Sequence, residues 1–183
     1  MYECIILVIL NCILMFSLDS WRTFFHELGH YGMFCMIDKH SRSVIITNLP
    51  IHVIGKRLLI LSKKKNRTFL KVSGAFYPEK GFSKLGDKEL SLIAKGGILG
   101  GSLFSFFLCT FFIILESCFV NTASLLPSAI YIVLCSFLFN YLAYRGKPFI
   151  RKYDTDYAAV HYPVKYRETL DDSMYDKLLE EFR

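Results

Sequence analysis

The chain has 183 residues, enough for one domain, and is 53% hydrophobic with a mean hydropathy of +0.36, yet 21% of its residues are charged. The figures fit together because apolar and charged residues are segregated: 2–18 hold one charge, Glu3, while 96–115 and 125–144 hold none. Each run approaches the ~20 residues a helix needs to cross a bilayer core, and so short a chain has too little polar covering to bury three such helices in a soluble interior.

In chain order, residues 2–37 are apolar apart from Asp19-Ser20-Trp21-Arg22 and a group at 26–30. A single helix of that length would measure about 54 Å, so one long or kinked membrane helix is expected. A retained segment is favoured over a signal peptide, because no basic n-region precedes it and no small-x-small site follows. From 43 to 77 short runs of Val, Ile and Leu are broken by Asn48, Pro50, Gly55 and Lys63-Lys64-Lys65-Asn66. That pattern predicts short strands, with 57–61 and 68–72 paired as a hairpin. A second membrane helix is expected over 90–115, where Gly96, Gly97, Gly100 and Gly101 give two overlapping GxxxG spacings that permit close helix packing. A third is expected over 125–144. Residues 145–163 read as a polar loop. In 169–182 the stripe Leu170, Met174, Leu178 and Phe182 predicts an amphipathic helix that covers the sheet, lies on the membrane or meets a partner.

The net charge of +6 is unevenly placed. Residues 38–95 carry 13 Lys/Arg against 4 Asp/Glu, and residues from 145 onward carry 8 of each. Short basic loops stay cytoplasmic, so the 38–95 segment and the C-terminal tail are expected on that side of a multi-pass integral membrane protein. No nucleic-acid motif accompanies the lysines, and no nucleic-acid partner is expected. The six cysteines lie in or beside apolar runs without a CxxC pair and read as small core hydrophobes. The expected fold is a single membrane-embedded domain over 1–183, a mainly α polytopic protein with three to four transmembrane helices and a small cytoplasmic-side sheet.

Within "FFHELGHYG", His26 and His30 are four apart and share one helix face, so both imidazoles can meet one metal ion. Glu27 lies beside them, placed to take a proton from a water on that ion. Ionisable groups in an apolar membrane run are costly and mostly functional. A catalytic zinc needs a third protein ligand. Met33 and Met36 occupy the positions where HExxHxxGxxH would place Gly and His, and Glu79 and Glu89 lie in the charged segment. Asp154, Asp156 and His161 remain.

These features resemble the site-2 protease family of intramembrane zinc metalloproteases. HELGH in an apolar helix, a β-rich stretch, the Gly-rich AKGGILGG, a helix ending near Asn140 and a following aspartate cover most of the chain. The resemblance implies one Zn²⁺ per chain on His26, His30 and Asp156, with Asp154 in reserve. It implies Glu27 as the base in metal-assisted hydrolysis of a membrane-anchored protein or peptide, and Asn140 as a substrate or oxyanion contact. A substrate strand added to an edge of the 43–77 sheet would hold it extended. Ala143 and Tyr157 stand where the family carries Pro and Gly. They favour one alternative, a catalytically inactive descendant serving as a membrane scaffold, receptor or immunity protein.

Overall fold

A computed structural model describes residues 18–62, 74–118 and 156–181, with scattered positions elsewhere. Helix α1 (Asp19–Ile37) begins at the Asp19–Arg22 ion pair and ends where Asp38 turns extended, its N–H bonded to Phe34 O at 2.8 Å. Its buried residues, Phe24, Glu27, His30 and Phe34, recur every three to four positions and form one face. The polar motif therefore lies on the inward side.

After the turn at Asp38, whose carboxylate accepts the N–H groups of His40 and Ser41, the chain forms four strands: β1 (Ser43–Thr47), β2 (Val53–Ile54), β3 (Leu58–Ser62) and β4 (Gly74–Pro78). Their order is β2-β3-β1-β4. β1 runs parallel to β3, with Ser43 opposite Leu58, and antiparallel to β4, with Ser43 opposite Pro78. β2 and β3 form a hairpin closed at Gly55. Both edges of β3 are thus taken, by β1 and β2. The pairing expected for 57–61 with 68–72 is not what flanks β3, and 68–72 lies outside the described residues, as do Lys63, Lys64 and Lys65.

Side chains alternate along β1, and each face of the sheet has its own cover. Ile45, with Ile60 and Phe76, joins Phe24 and Phe34 of α1 and Leu90 and Ile93 of the next helix, α2 (Asp87–Ser117). Val44 and Ile46, with Leu61, meet Tyr175 and Leu178 of the C-terminal helix α5 (Met174–Glu181). Of the three roles open to the tail helix, covering the sheet is the one adopted. Leu170 departs from the expected stripe and packs in the α1-side core. The stretch expected as a polar loop holds two short helices, α3 (Asp156–His161) and α4 (Pro163–Arg167).

The expectation of a polytopic protein with three to four membrane helices is corrected. Among the described residues one helix, α2, is long and apolar enough to cross a membrane, and the body is a small mixed α/β unit around a four-stranded sheet. The physical reason lies in α1. Its large apolar residues Phe24 and Phe34 face a sheet rather than lipid, and an apolar run reads alike in both settings. Residues 2–17 are described only at scattered positions, as is the expected 125–144 helix.

Candidate metal centre

Helices α1 and α2 cross antiparallel at glycines. Phe25 stacks on Phe104 near one end, with centroids 4.7 Å apart, and His30 bonds to Ile93 near the other. A Cβ on Gly29, the glycine of HELGH, would fall inside 3.0 Å of the Gly96 carbonyl and 3.1 Å from Gly100 Cα. The GxxxG spacing read from the sequence as a packing device does that work here. Gly97 does something further. A Cβ there would lie under 3.0 Å from His30 Nε2 and 2.8 Å from His26 Nε2. The absent side chain leaves the space in which both histidines sit.

The two Nε2 atoms are 3.2 Å apart. Two ligands of a tetrahedral zinc with bonds of ~2.0–2.1 Å stand about 3.3 Å apart, so the pair is already spaced for one ion. The Nδ1 of His30 lies 2.7 Å from the carbonyl oxygen of Ile93. Donating to that carbonyl fixes the tautomer and leaves Nε2 with its lone pair toward the site. Asp156, at the start of α3, brings Oδ2 to 2.9 Å from His26 Nε2 and Oδ1 to 3.4 Å from His30 Nε2. The three ligand atoms lie within 4.8 Å of one another. Burial alone would raise the Asp156 carboxyl, but in the metal-free protein a protonated His30 and the His26 hydrogen bond and charge outweigh it and hold the group below its ordinary value. A bound divalent ion would supply that positive charge in their place, with both imidazoles neutral. Two imidazoles and a carboxylate leaving a fourth position open is the donor set of a catalytic zinc. His26, His30 and Asp156 thus form a possible metal-binding triad.

Glu27 is buried on the same side, its Oε2 4.0 Å from His30 Nε2. Its stem lies against β4: a Cβ on Gly74 would meet Glu27 Oε1 at 3.1 Å. Phe76 of the same strand stacks on the His30 ring, with centroids 6.1 Å apart. The structure thus brings together His26, Glu27, His30 and Asp156. Asn140 and Asp154 lie outside the described residues. Gly97 was visible in the sequence as part of a glycine pattern, without a sign of its contact with the histidines. The Ile93 carbonyl carries no sequence signal at all, being backbone.

The tail that delivers Asp156 is fastened at two further points. Arg167 donates to Leu85 O at 2.6 Å and pairs with Asp87 at 2.7 Å, at the start of α2. Asp172 accepts the N–H of Phe82 at 3.0 Å and the hydroxyl of Ser83. Gly81 makes that turn at φ 73°, and a Cβ there would strike the Asp172 carboxylate. Comparison of the chain with protein-family models, with curated proteins and with solved structures returns no match.

Proposed function

We propose that the protein is a zinc-dependent endopeptidase of site-2 protease type, acting on a membrane-associated protein or peptide. The observation that carries this reading is the placement of Asp156, 126 positions beyond His30 in sequence, against both histidine Nε2 atoms, with Glu27 beside them. His26, His30 and Asp156 would hold the ion. A zinc ion in such a site lowers the pKa of bound water toward ~7 and polarises a carbonyl. Glu27 accepts the proton from the attacking water and passes it to the departing amide nitrogen. His30, held by the Ile93 carbonyl, keeps its ring fixed meanwhile.

An extended substrate would fit the edge of β4 that no described strand occupies. The Glu79 N–H bonds to Arg42 O at 2.9 Å, and antiparallel pairs alternate. The Val44–Tyr77 and Ile46–Ala75 pairs therefore face each other with their backbone groups, while those of Gly74 and Phe76 point away from β1. Pro78, which has no N–H, also faces outward, where a proline is tolerated. A substrate strand on this edge would run alongside β4, whose Gly74 and Phe76 meet Glu27 and His30 on the side that faces α1.

The test is metal content beside cleavage, in purified protein reconstituted with single-span reporter proteins. One zinc per chain is expected in the wild type and in Glu27→Gln, and none in His26→Ala or Asp156→Ala. Glu27→Gln should lose cleavage by 10²–10⁴-fold. A wild type that takes up no zinc at neutral pH, or a Glu27→Gln variant that cleaves normally, would end the proposal.

A further inference from the structure

The exposed residues of α2 change character once along its length. Lys88 and Lys95 are exposed near its start, with Lys84 exposed in the preceding turn. From Leu99 onward the exposed large residues are Leu103, Phe106, Phe107, Phe111, Ile114 and Leu115. The spacing 88, 92, 95, 99, 103, 106 follows one helix face, so the lysines head the same stripe that the apolar residues continue. Only 22% of the most apolar 18-residue window is buried, whereas the core helix of a soluble protein would be mostly covered. Thr110 donates to Phe106 O at 2.9 Å and Ser117 to Ile114 O at 2.6 Å. Their hydroxyls are thus satisfied within the helix, as a hydrocarbon surrounding requires.

The acids beside the lysines are already engaged. Asp87 pairs with Arg167, and Glu89 accepts the Gly86 N–H at 2.8 Å. The positive charge of Lys84, Lys88 and Lys95 is therefore turned outward, toward solvent or a surface. The charge-free run between Lys95 and Glu116 is residues 96–115. At ~1.5 Å per residue it measures about 30 Å, the thickness of a hydrocarbon core. Gly97 is two residues inside the Lys95 end, about 3 Å along the axis.

We propose that Lys84, Lys88 and Lys95 dock on the anionic headgroups of the bilayer that α2 crosses, fixing the His26–His30–Asp156 centre at the boundary between headgroups and hydrocarbon. The centre then lies where water is available and where the juxtamembrane segment of a membrane-anchored chain passes. The inference needs α2 to span. It does not need the protease reading.

Two measurements on the full chain in vesicles test it. The first is the preference for spin-labelled phosphatidylglycerol over spin-labelled phosphatidylcholine, read as the motionally restricted fraction. Each lysine near an anionic surface contributes about five-fold in affinity. The wild type should favour phosphatidylglycerol several-fold, the triple Lys→Gln variant should approach unity, and the triple Lys→Arg variant should match the wild type. No preference in the wild type, or an unchanged preference in the Gln variant, overturns the proposal.

The second combines Trp21→Phe, which removes the single tryptophan, with Phe107→Trp at an exposed position of α2. Position 107 is about 18 Å inside the Lys95 boundary. Brominated lipids should quench the new indole best with bromine near the acyl-chain ends. Strongest quenching by bromine near the glycerol overturns the register. Neither readout uses zinc or cleavage, so failure here is separable from failure of the proposed function.

Discussion

Gly97→Ala isolates the claim that a missing side chain on α2 makes room for the metal. An ordinary Cβ contact begins near 3.4 Å, yet the added methyl would come under 3.0 Å from His30 Cε1 and Nε2 and 2.8 Å from His26 Nε2. His30 cannot swing aside freely, because its Nδ1 is held at 2.7 Å by the Ile93 carbonyl. Breaking that buried bond costs about 1–3 kcal/mol, and displacing a ligand costs more. Zinc affinity is expected to fall at least ~100-fold, the upper range for loss of a supporting contact. Gly32→Ala is the control, since a Cβ there meets nothing within 4 Å. It should keep zinc and gain up to ~1 kcal/mol from helix propensity. Competition against a chelator of known affinity reads the first quantity and reversible unfolding in mixed micelles the second. A Gly97→Ala protein that binds zinc like the wild type would refute the reasoning, as would equal zinc loss in Gly32→Ala.

Three further outcomes are expected. Tyr175 is 3% exposed and its hydroxyl has no hydrogen-bond partner among the described residues, so Tyr175→Phe should be neutral or stabilising by about 1 kcal/mol, while Tyr175→Ala should cost ~3–5 kcal/mol of stability. Asp38, bonded to Lys80 and to the His40 and Ser41 N–H groups, has its carboxyl lowered to about 2 from 3.8. Its contribution is fully present above the unfolded value and lost as pH falls through about 2; carboxyl titration by NMR should show the value move back toward 3.8 in Lys80→Gln. A substrate-like peptide N-methylated where it would pair with Gly74 and Phe76 should inhibit cleavage less than its unmethylated form, and equal inhibition would exclude the β4 edge.

What the sequence made legible was local. His26 and His30 share a face because a helix repeats every 3.6 residues, and the glycine spacing of 96–101 signals close packing for the same reason. Asp156 was reached through a family resemblance, since no local rule connects it with His26. The parallel pairing of β1 with β3 and the edge position of β4 depend on contacts between distant segments, and a hairpin was the nearest local guess. The short helices α3 and α4 escaped notice because packing and Arg167, rather than an apolar period, fix them. α1 was misjudged as a membrane span because Phe24 and Phe34 look the same facing Ile45 as facing lipid.

Removing the metal should loosen more than the site. His26 and His30 belong to α1 and Asp156 to the tail, and α3 packs on α2 between them. Two carboxylates, Glu27 and Asp156, are buried near one another there: burial first, and then the Asp156 charge, raise the Glu27 carboxyl to about 7 against the lowering by His30. A divalent ion offsets that charge and ties the tail to α1. Whatever binds the folded arrangement alone stabilises it by RT ln(1 + [L]/Kd), about 2.7 kcal/mol at a hundredfold excess of free zinc over Kd. Hydrogen exchange with and without a chelator should therefore show amides of 156–181 exchanging up to ~100-fold faster without zinc. Amides of β1, central in the sheet and buried along its length, should change far less. The coupling runs through Asp156, so Asp156→Ala should show the fast rate at any zinc concentration. If the chelator leaves the tail's exchange untouched in a protein shown to hold zinc, Asp156 is not a ligand, and the third position belongs to another group.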